Sequence, residues 1–566
     1  MLNIFSFLYL ISIVFVDCEN IYLLNNLSDV NALTVFLSLA FLSMAFILRE
    51  EKGVVRLSNL TITLVIFLLF SAFSFYFSLN PDSSLYPALR ILSALFLSLA
   101  LISYLNNIEA LNTALLTIFI LAGVHAGIGI LQQLSPSLLY EPNRFSFASS
   151  SIFANLNYYA GYLVVHIPIG IYLYCQDRTK TMKIVLGGIL VMIWIALGFS
   201  GSPGGQLVAG IQALGIIFYL LKKKEFRCLK ILGGGFIIAL GVYIGLVKFL
   251  NQLYPSGSEE IATSLIRRPW IWGHVENRFM YWAGAWSLFK ENWLLGTGLW
   301  TFKEFYPQTG LKYIPPHAHN MYLQTATETG LIGFGLLMAC LTTLYLTIIR
   351  ILKNITNELV DLSFYITVSI SSLLLHNLIE YNWLTSNFIY IFVFLVISVE
   401  VLNREIASTK MWKNIPDPKK LWPKVIAITM VLGIFTVVQY YRYNRTIGHN
   451  VLASNTVEEV LAHAERAKEI CGRCGRPHYL SGIVHLEEFR KSKNDRDLVQ
   501  AEKDFKEVIQ RNPLGSGAFF KLGQIKSIQG NHIKAKYFYE KAKKDSRYRS
   551  FVLEELKRLE SYSKIK

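Results

Sequence analysis

The sequence predicts an all-α, polytopic membrane protein with about 12–13 spans, a large extracytoplasmic loop and a C-terminal α-solenoid. Three observations support this fold class. The chain is 53% hydrophobic and only 16% charged, which is typical of a protein that lies mostly in lipid. Apolar runs of close to 20 residues recur over residues 1–440, and a helix of that length spans a bilayer. Residues 441–566 are charged and amphipathic and repeat with a period of 34 residues.

Thirteen apolar runs are predicted to be membrane spans. They are 2–16, 31–48, 59–78, 88–105, 111–131, 155–174, 184–199, 206–221, 231–249, 321–349, 362–379, 386–402 and 423–440. The first run is short, so a cleaved signal peptide is an alternative interpretation. That alternative is disfavoured because no basic residues precede the run and no clear small-x-small cleavage site follows it.

The distribution of Lys and Arg predicts the orientation in the membrane. Basic residues cluster in every second gap between spans, as in Lys222–Lys224 and again at Arg350 and Lys353. Such gaps are cytoplasmic. The intervening gaps, including the loop 250–319, are then extracytoplasmic, and an odd number of spans leaves the C-terminal tail outside as well. The net charge of +16 raises nucleic acid as a partner, but no basic region carries interleaved aromatic side chains, so nucleic acid is not expected.

The candidate chemistry concentrates between Pro315 and Gln324, which reads Pro-Pro-His-Ala-His-Asn-Met-Tyr-Leu-Gln. The two prolines stop a helix from arriving, and His317 and His319 then directly precede the apolar run 321–349. Two titratable imidazoles therefore stand at the mouth of a predicted span, and an imidazole is a suitable general base near neutral pH. A metal pair is the alternative. No third ligand stands at metal spacing in the sequence, so neither a metal nor a cofactor is predicted.

This stretch resembles the H-x-H-N-x-Y-L-x-x-x-x-E-x-G signature of the O-antigen ligase and Wzy-type polymerase family. The matching residues are His317, His319, Asn320, Tyr322, Leu323, Glu328 and Gly330. The preceding run from Arg278 and Trp282 resembles the family pattern R-x-x-x-W-x-x-A followed by P-x-x-G-x-G, with Trp293 where Pro is usual. The resemblance covers roughly residues 60–400.

Two further segments match the family in part. Asn155 and Asn157 are similar to its x-N-x-N pattern before a span, although a helix-capping role is an alternative for each Asn. The family commonly has S-R-G where this chain has Ser202-Pro203-Gly204, and that arginine is thought to hold a lipid pyrophosphate. The sequence leaves open which of three arginines replaces it: Arg144, Arg267 or Arg268.

The resemblance implies a metal-independent, inverting glycosyltransferase of the bacterial inner, cytoplasmic membrane. It would move a glycan from an undecaprenyl-diphosphate carrier to lipid A core, a growing polysaccharide or another surface acceptor. His319 is the implied catalytic base and His317 the reserve. The implied substrate-binding residues are Arg278, Arg267, Arg268, Arg144, Asn157, Asn320, Trp282, Tyr322, Glu328 and His376. An interfacial anchor is the alternative for Arg278, and a packing histidine for His376. A transporter and a membrane-anchored assembly scaffold remain alternative functions.

The tail, residues 441–566, is predicted to be a tetratricopeptide-like helical repeat domain that follows a membrane domain of residues 1–440. The repeat is visible where Ala501, Phe505 and Val508 recur as Ala535, Tyr539 and Ala542. A degenerate third copy is expected near Val457. The tail is expected to bind a protein partner or to pack on the extracytoplasmic loop. Cys471-Gly472-Arg473-Cys474 predicts a disulfide or redox pair, with two buried thiols as the alternative.

Overall fold

The computed structural model describes residues 56–134 (except 106), 151–253 (except 152 and 154), 272–406 (except 312–313, 355–356 and 385), 413–414, 431, 438–439 and 442–565. These residues are almost entirely helical, which confirms the all-α fold class. Two two-residue strands, Arg56–Leu57 and Lys413–Asn414, pair antiparallel. The predicted spans 2–16 and 31–48, most of 423–440, and the domain boundary at residue 440 lie outside the described residues.

The helices of the membrane part are α1 (Asn59–Phe73), α2 (Pro81–Tyr104), α3 (Ile108–Leu134), α4 (Leu156–Cys175), α5 (Lys180–Ser200), α6 (Pro203–Lys223), α7 (Phe226–Leu253), α8 (Trp272–Glu291), α9 (Phe302–Phe305), α10 (Met321–Asn354), α11 (Asn357–His376) and α12 (Ser386–Ile406). Short 3-10 helices occur at Ser74–Phe77, Tyr306–Thr309 and Asn382–Leu384. The C-terminal part has a π-helix at Arg445–Asn450, followed by α13 (Val451–Ala453), α14 (Val457–Ile470), α15 (Arg476–Ser492), α16 (Asp495–Arg511), α17 (Ser516–Ile528), α18 (His532–Ala542) and α19 (Arg549–Ile565).

Nine helices within the described residues are long and apolar enough to cross a membrane, so the protein is a multi-pass membrane protein. They correspond to the predicted spans from 59–78 to 362–379. The predicted span 386–402 is also helical, as Ser386–Ile406. The largest difference is at the start of α2, where the helix begins at Pro81 and a span from residue 88 was predicted. Hydropathy marks only the apolar part of a helix, whereas proline is well accommodated in a first turn.

Side-chain caps fix where two helices of the candidate site begin. The side chain of Asn155 accepts the backbone N–H of Asn157 at 2.7 Å and starts α4. Ser202 accepts the N–H of Gly205 at 3.3 Å and starts α6, with Pro203 as its first residue. Asn and Ser are favoured at this position because they satisfy backbone donors that the helix cannot. The caps therefore place Asn157 and Ser202 at the same end of the helix bundle.

The long helix α10 is kinked at Gly330, whose backbone (φ 67°, ψ −169°) is one that glycine alone adopts readily. The kink lets the segment 293–298 lie against the helix, where the N–H of Gly298 donates to the carbonyl of Glu328 at 2.9 Å. Gly296 also has a positive φ of 74°, and a Cβ there would lie 2.4 Å from the backbone of Glu328. Glycine at both positions allows the backbone of segment 293–298, which follows α8, to contact the backbone of α10 directly.

The tail contacts the extracytoplasmic loop predicted from the sequence. The N–H of Ser546 donates to the carbonyl of Pro307 at 2.9 Å, and the guanidinium of Arg547 donates to the carbonyl of Glu304 at 3.2 Å. Leu514 packs against an apolar cluster, called here the loop cluster, that comprises Ala285, Leu288, Phe302, Phe305, Tyr306 and Ala318. Packing on the loop is one of the two roles predicted for the tail.

The tail itself consists of consecutive helices that pack in pairs, with α15 against α16 and α17 against α18. A disulfide joins Cys471 to Cys474, between α14 and α15, and this agrees with the disulfide that the Cys-x-x-Cys spacing predicted. The assignment of these helices to the tetratricopeptide class remains a prediction.

The predicted topology can be tested by labelling. Lys303→Cys and Ser492→Cys, in a background without the free cysteines, should react with a membrane-impermeant maleimide in intact spheroplasts. Both positions are exposed and lie in segments predicted to be extracytoplasmic. Lys224→Cys, exposed in a predicted cytoplasmic turn, is the matched control and should react only after permeabilisation. Protection of position 303 would contradict the outer placement of the loop, and protection of position 492 alone would contradict the odd number of spans.

Candidate functional site

Glu380 is the centre of a buried polar cluster that contains the two predicted histidines. It lies on the connection that follows α11 and is 1% exposed. Nδ1 of His319 lies 2.8 Å from its Oε1, close enough for an ion pair when the imidazole is protonated. A carboxylate at Nδ1 favours the tautomer that carries the proton there, so Nε2 of the neutral ring is an acceptor. The ring of Tyr281 stacks on the partly exposed His319, with centroids 5.7 Å apart.

His317 is more deeply buried than His319, and both of its ring nitrogens have partners. The backbone N–H of His319 donates to Nδ1 of His317 at 3.2 Å, so this nitrogen is the unprotonated one. Its Nε2 lies 3.0 Å from the hydroxyl of Tyr158 and donates the ring proton. Burial lowers the pKa of His317 to about 3, against an opposing effect of Glu380. A neutral ring with both nitrogens engaged is less suited than His319 to remove a proton from a substrate.

The second oxygen of Glu380 is held by residues of two other helices. Nδ2 of Asn157 donates to Oε2 at 2.8 Å, and the hydroxyl of Ser202 donates to Oδ1 of Asn157 at 2.7 Å. Nη2 of Arg278 lies 3.9 Å from the same Oε2. Burial by itself raises the pKa of a carboxyl, but the adjacent imidazole of His319, with a smaller contribution from Arg278, holds the pKa of Glu380 well below its ordinary value. Glu380 is therefore ionised.

Main-chain contacts hold the histidine loop against the segment that carries Glu380. The N–H of Met321 donates to the carbonyl of Asn377 at 2.9 Å. The side chain of Asn320 donates to the carbonyl of Leu378 at 3.0 Å. His319 has a positive φ of 49°, which is uncommon for a residue other than glycine. These contacts fix a backbone turn from which both His317 and His319 face the carboxylate of Glu380.

Two predicted substrate-binding residues of the same motif contact protein groups elsewhere. The hydroxyl of Tyr322 donates to the carbonyl of Leu374 at 3.2 Å and ties α10 to α11. Oε1 of Glu328 accepts the side-chain amide of Gln324 at 2.7 Å and the N–H of Phe302 at 3.4 Å. The structure does not bring Tyr322 or Glu328 into contact with Glu380. A role for either in substrate binding stays a prediction.

His376 lies beside the cluster, and no contact between described residues joins either His376 or Trp282 to the carboxylate oxygens. Nδ1 of the buried His376 is 2.8 Å from Nδ2 of Asn382. The ring also packs so closely on Gly161 that a Cβ there would lie 2.9 Å from Nδ1. The ring of Trp282 meets that of Phe279 edge-on, with centroids 5.3 Å apart. Substrate contacts by these two residues stay predictions.

The arginine expected in the S-R-G pattern is replaced by Pro203, and the preceding Ser202 caps α6 and orients Asn157 instead. Its three proposed substitutes, Arg144, Arg267 and Arg268, lie outside the described residues. Arg278 is therefore the one predicted arginine among the described residues that lies in the Glu380 cluster.

The sequence-based argument against a metal site, that no third ligand accompanies the histidines, is wrong. His317, His319 and Glu380 offer donor atoms that all lie within 4.8 Å of one another, because the fold brings Glu380 to the pair from another connection. Two contacts disfavour a divalent cation: the positive charge of Arg278 lies nearby, and Nδ1 of His317 already accepts a backbone N–H. Metal independence stays a prediction.

Glu380 was not among the predicted site residues. It stands directly beyond the predicted span 362–379, and an acidic residue at the end of an apolar run is the signal that could have identified it. Tyr158, which contacts His317, carries no such signal because tyrosine is common near membrane interfaces. Both roles depend on contacts between elements that are distant in sequence.

The lowered pKa of His317 predicts a specific pH dependence of stability. The unfolded chain protonates this histidine below about pH 6.5, whereas the folded protein does so only near pH 3. Stability should therefore fall as pH decreases through this window, by about 1.4 kcal/mol per pH unit from this one group. In thermal unfolding between pH 6 and 4, His317→Gln should lose stability less steeply than the wild type. Equal slopes would contradict the prediction, and His532→Gln, at an exposed histidine, controls for loss of a surface imidazole.

Comparison with known proteins is consistent with this arrangement. Residues 188–338, which include Arg278, His317 and His319, match the family described as O-antigen ligase. A Rickettsia conorii protein named "Putative polysaccharide ligase" is 27% identical over 214 residues, which cover 35% of this chain and 47% of that protein. The match thus spans about half the length of this relative. Both findings agree with the resemblance carried by the histidine motif: over residues 188–338 this multi-pass membrane protein is similar to the O-antigen ligase family.

Proposed function

We propose that this protein transfers or polymerises a glycan from an undecaprenyl-diphosphate-linked donor at the outer face of the bacterial cytoplasmic membrane. The acceptor is lipid A core, a growing polysaccharide or another surface acceptor. The match of residues 188–338 to the O-antigen ligase family supports glycan ligation by a membrane protein. The name of the Rickettsia relative supports a polysaccharide as the glycan.

The observation that carries this proposal is the contact between His319 and the buried, ionised Glu380. A lipid diphosphate is already a good leaving group, so the step that needs help is removal of the proton from the acceptor hydroxyl. A carboxylate at Nδ1 orients the imidazole and stabilises the imidazolium that forms, as in other His–carboxylate pairs. Nε2 of His319 is then the base. His317 fits this role less well because its nitrogens contact Tyr158 and the backbone of His319.

The reaction is then a single displacement at the anomeric carbon. Nε2 of His319 takes the proton of the acceptor hydroxyl while its oxygen forms the new glycosidic bond. The bond from the anomeric carbon to the diphosphate breaks, and its electron pair leaves on the diphosphate oxygen. Attack opposite the leaving group inverts the configuration. No atom of the protein is bonded to the sugar at any stage.

Arg278 is proposed to hold the diphosphate as its charge increases. Its side chain is 26% exposed, and the nearest carboxylate oxygen of a described residue is 3.9 Å away, so the guanidinium keeps N–H donors for a ligand. Arginine binds phosphate oxygens through two parallel hydrogen bonds, which a lysine cannot reproduce. This positive charge also explains why the reaction is expected to need no metal.

The site and the tail are both proposed to be extracytoplasmic. The positive-inside pattern supports this orientation. The disulfide between Cys471 and Cys474 supports it independently, since disulfides persist in oxidising compartments.

Substitution of the base tests the mechanism. In purified protein with a lipid-linked donor and EDTA, His319→Ala should lower turnover on the order of a hundredfold or more, which is the usual effect of losing a general base. Arg278→Lys should also be impaired although it keeps its charge, because the bidentate geometry is lost. His532→Ala and Arg350→Lys, both at exposed positions, are matched controls and should remain active. Transfer at the wild-type rate by His319→Ala, or loss of wild-type transfer in EDTA, would refute this mechanism.

The tail is proposed to tune the reaction without performing it. No tail residue contacts Glu380 among the contacts of the described chain, so protein truncated after about residue 445 should retain measurable transfer. Its yield or product length should change, because the tail packs on the loop cluster. Product length on gels, at matched amounts of membrane-inserted protein, is the measurement. Complete loss of transfer in a stably inserted truncated protein would contradict this role.

A further inference from the structure

The disulfide between Cys471 and Cys474 lies in a small apolar cluster where the tail joins the membrane part. This cluster, called here the joint cluster, contains both cysteines together with Tyr443, Ile447 and Ala467. The bond closes a loop of only four residues. A loop this short restricts the unfolded chain less than a disulfide between distant residues does. Stabilisation of the fold is therefore a weak reason for a disulfide at this place.

The two sulfur atoms differ in accessibility in the way that an exchange reaction requires. Cys471 is half-buried, whereas Cys474 is 3% exposed. Exchange begins when an external thiolate attacks an accessible sulfur and the other sulfur departs. The accessible atom here is Sγ of Cys471, and the departing atom is Sγ of Cys474, which is shielded from further attack.

A carboxyl group from the membrane part lies beside both sulfurs. A carboxylate oxygen of Asp82, in the first turn of α2, and the two sulfur atoms all lie within 4.8 Å of one another. Oδ2 of Asp82 accepts the N–H of Arg476, the first residue of α15, at 3.3 Å. Oδ1 is buried without an aligned hydrogen bond to any described residue, with the Tyr443 hydroxyl beside it. A carboxyl group in this place can pass a proton to a departing sulfur.

We propose that Cys471–Cys474 is a thiol–disulfide exchange site that takes a dithiol as reductant, and that its oxidised state holds the tail against α2. One thiolate of the dithiol attacks Sγ of Cys471, and the disulfide breaks with its electron pair on Sγ of Cys474. Cys474 takes a proton from Asp82. The second thiol of the dithiol loses its proton to water and attacks the dithiol's own sulfur in the mixed disulfide. The electron pair leaves on Sγ of Cys471, which takes a proton from water, and the dithiol becomes a disulfide. Water also returns a proton to Asp82. Two electrons and two protons pass to the cysteine pair.

Reduction should weaken the contact between the tail and α2, because the disulfide, the turn between α14 and α15 and the hydrogen bond from Arg476 to Asp82 lie together at the joint cluster. The disulfide fixes the turn between α14 and α15, and Arg476 follows Cys474 by two residues. Its N–H is the link to Asp82, so freeing the turn removes the restraint on that hydrogen bond. The tail then keeps its contacts with the loop at Glu304 and Pro307, but its attachment to α2 through Asp82 is no longer fixed.

The test uses full-length protein in detergent micelles with the free cysteines replaced by serine. The native protein is treated with dithiothreitol, and thiols are trapped with a maleimide that adds mass. Both sulfurs should be trapped without denaturation, and trypsin should cleave the reduced protein at Arg473 faster than the oxidised protein. Asp82→Asn should slow reduction by roughly tenfold or more, the effect of losing a proton donor. Asp82→Glu should restore the rate, and Asp495→Asn, at an exposed carboxylate of the tail, should leave it unchanged.

Several outcomes overturn the proposal. Thiols that appear only after denaturation would mean that the disulfide is a structural bond. Equal cleavage at Arg473 in the oxidised and reduced proteins would mean that the disulfide does not control how the tail packs against α2. Reduction of Asp82→Asn at the wild-type rate would remove the carboxyl from the exchange step. None of these measurements depends on glycan transfer.

Discussion

The structure of the candidate site depends on one ionised carboxylate, Glu380, buried where the membrane helices end. A buried charge without partners is strongly destabilising, and a nearly inaccessible group has little water to compensate it. Its partners arrive from separate elements: His319 from the loop before α10, Asn157 from α4 and Arg278 from α8. The helix caps, the main-chain contacts of the histidine loop and the close glycine contacts hold these elements in positions from which they reach the two carboxylate oxygens of Glu380.

The requirements of this carboxylate also separate two histidines that look equivalent in sequence. His319 presents Nδ1 to Glu380 and keeps a partly exposed ring. His317 accepts the N–H of His319 and donates to Tyr158, so it serves as a buried support. A partially satisfied polar network is unfavourable in a low dielectric, so every member of the cluster is constrained by its neighbours. The proposed base is therefore defined by its contacts rather than by its place in the motif.

The parts that were predictable from sequence are those that local patterns determine. Apolar runs gave the spans that the described residues contain, and the motif gave His317, His319 and Arg278, because both signals lie within one segment. The contacts of Asn157 with Glu380 and with Ser202 could not be predicted in this way, since each depends on packing between distant segments. The start of α2 was wrong by seven residues for a different reason, because a local cap and a proline rather than hydropathy determine it.

The loop cluster joins the two halves of the proposed chemistry and also receives the tail. Ala318 stands between the two histidines, and Ala285 lies on the same helix as Arg278; both are buried in this cluster. The cluster therefore sets the distance between the base and the arginine that would hold the diphosphate. Leu514 of the tail packs on it from outside. Because catalysis is sensitive to displacements of about 1 Å, a change in tail docking can alter turnover without any tail residue entering the site.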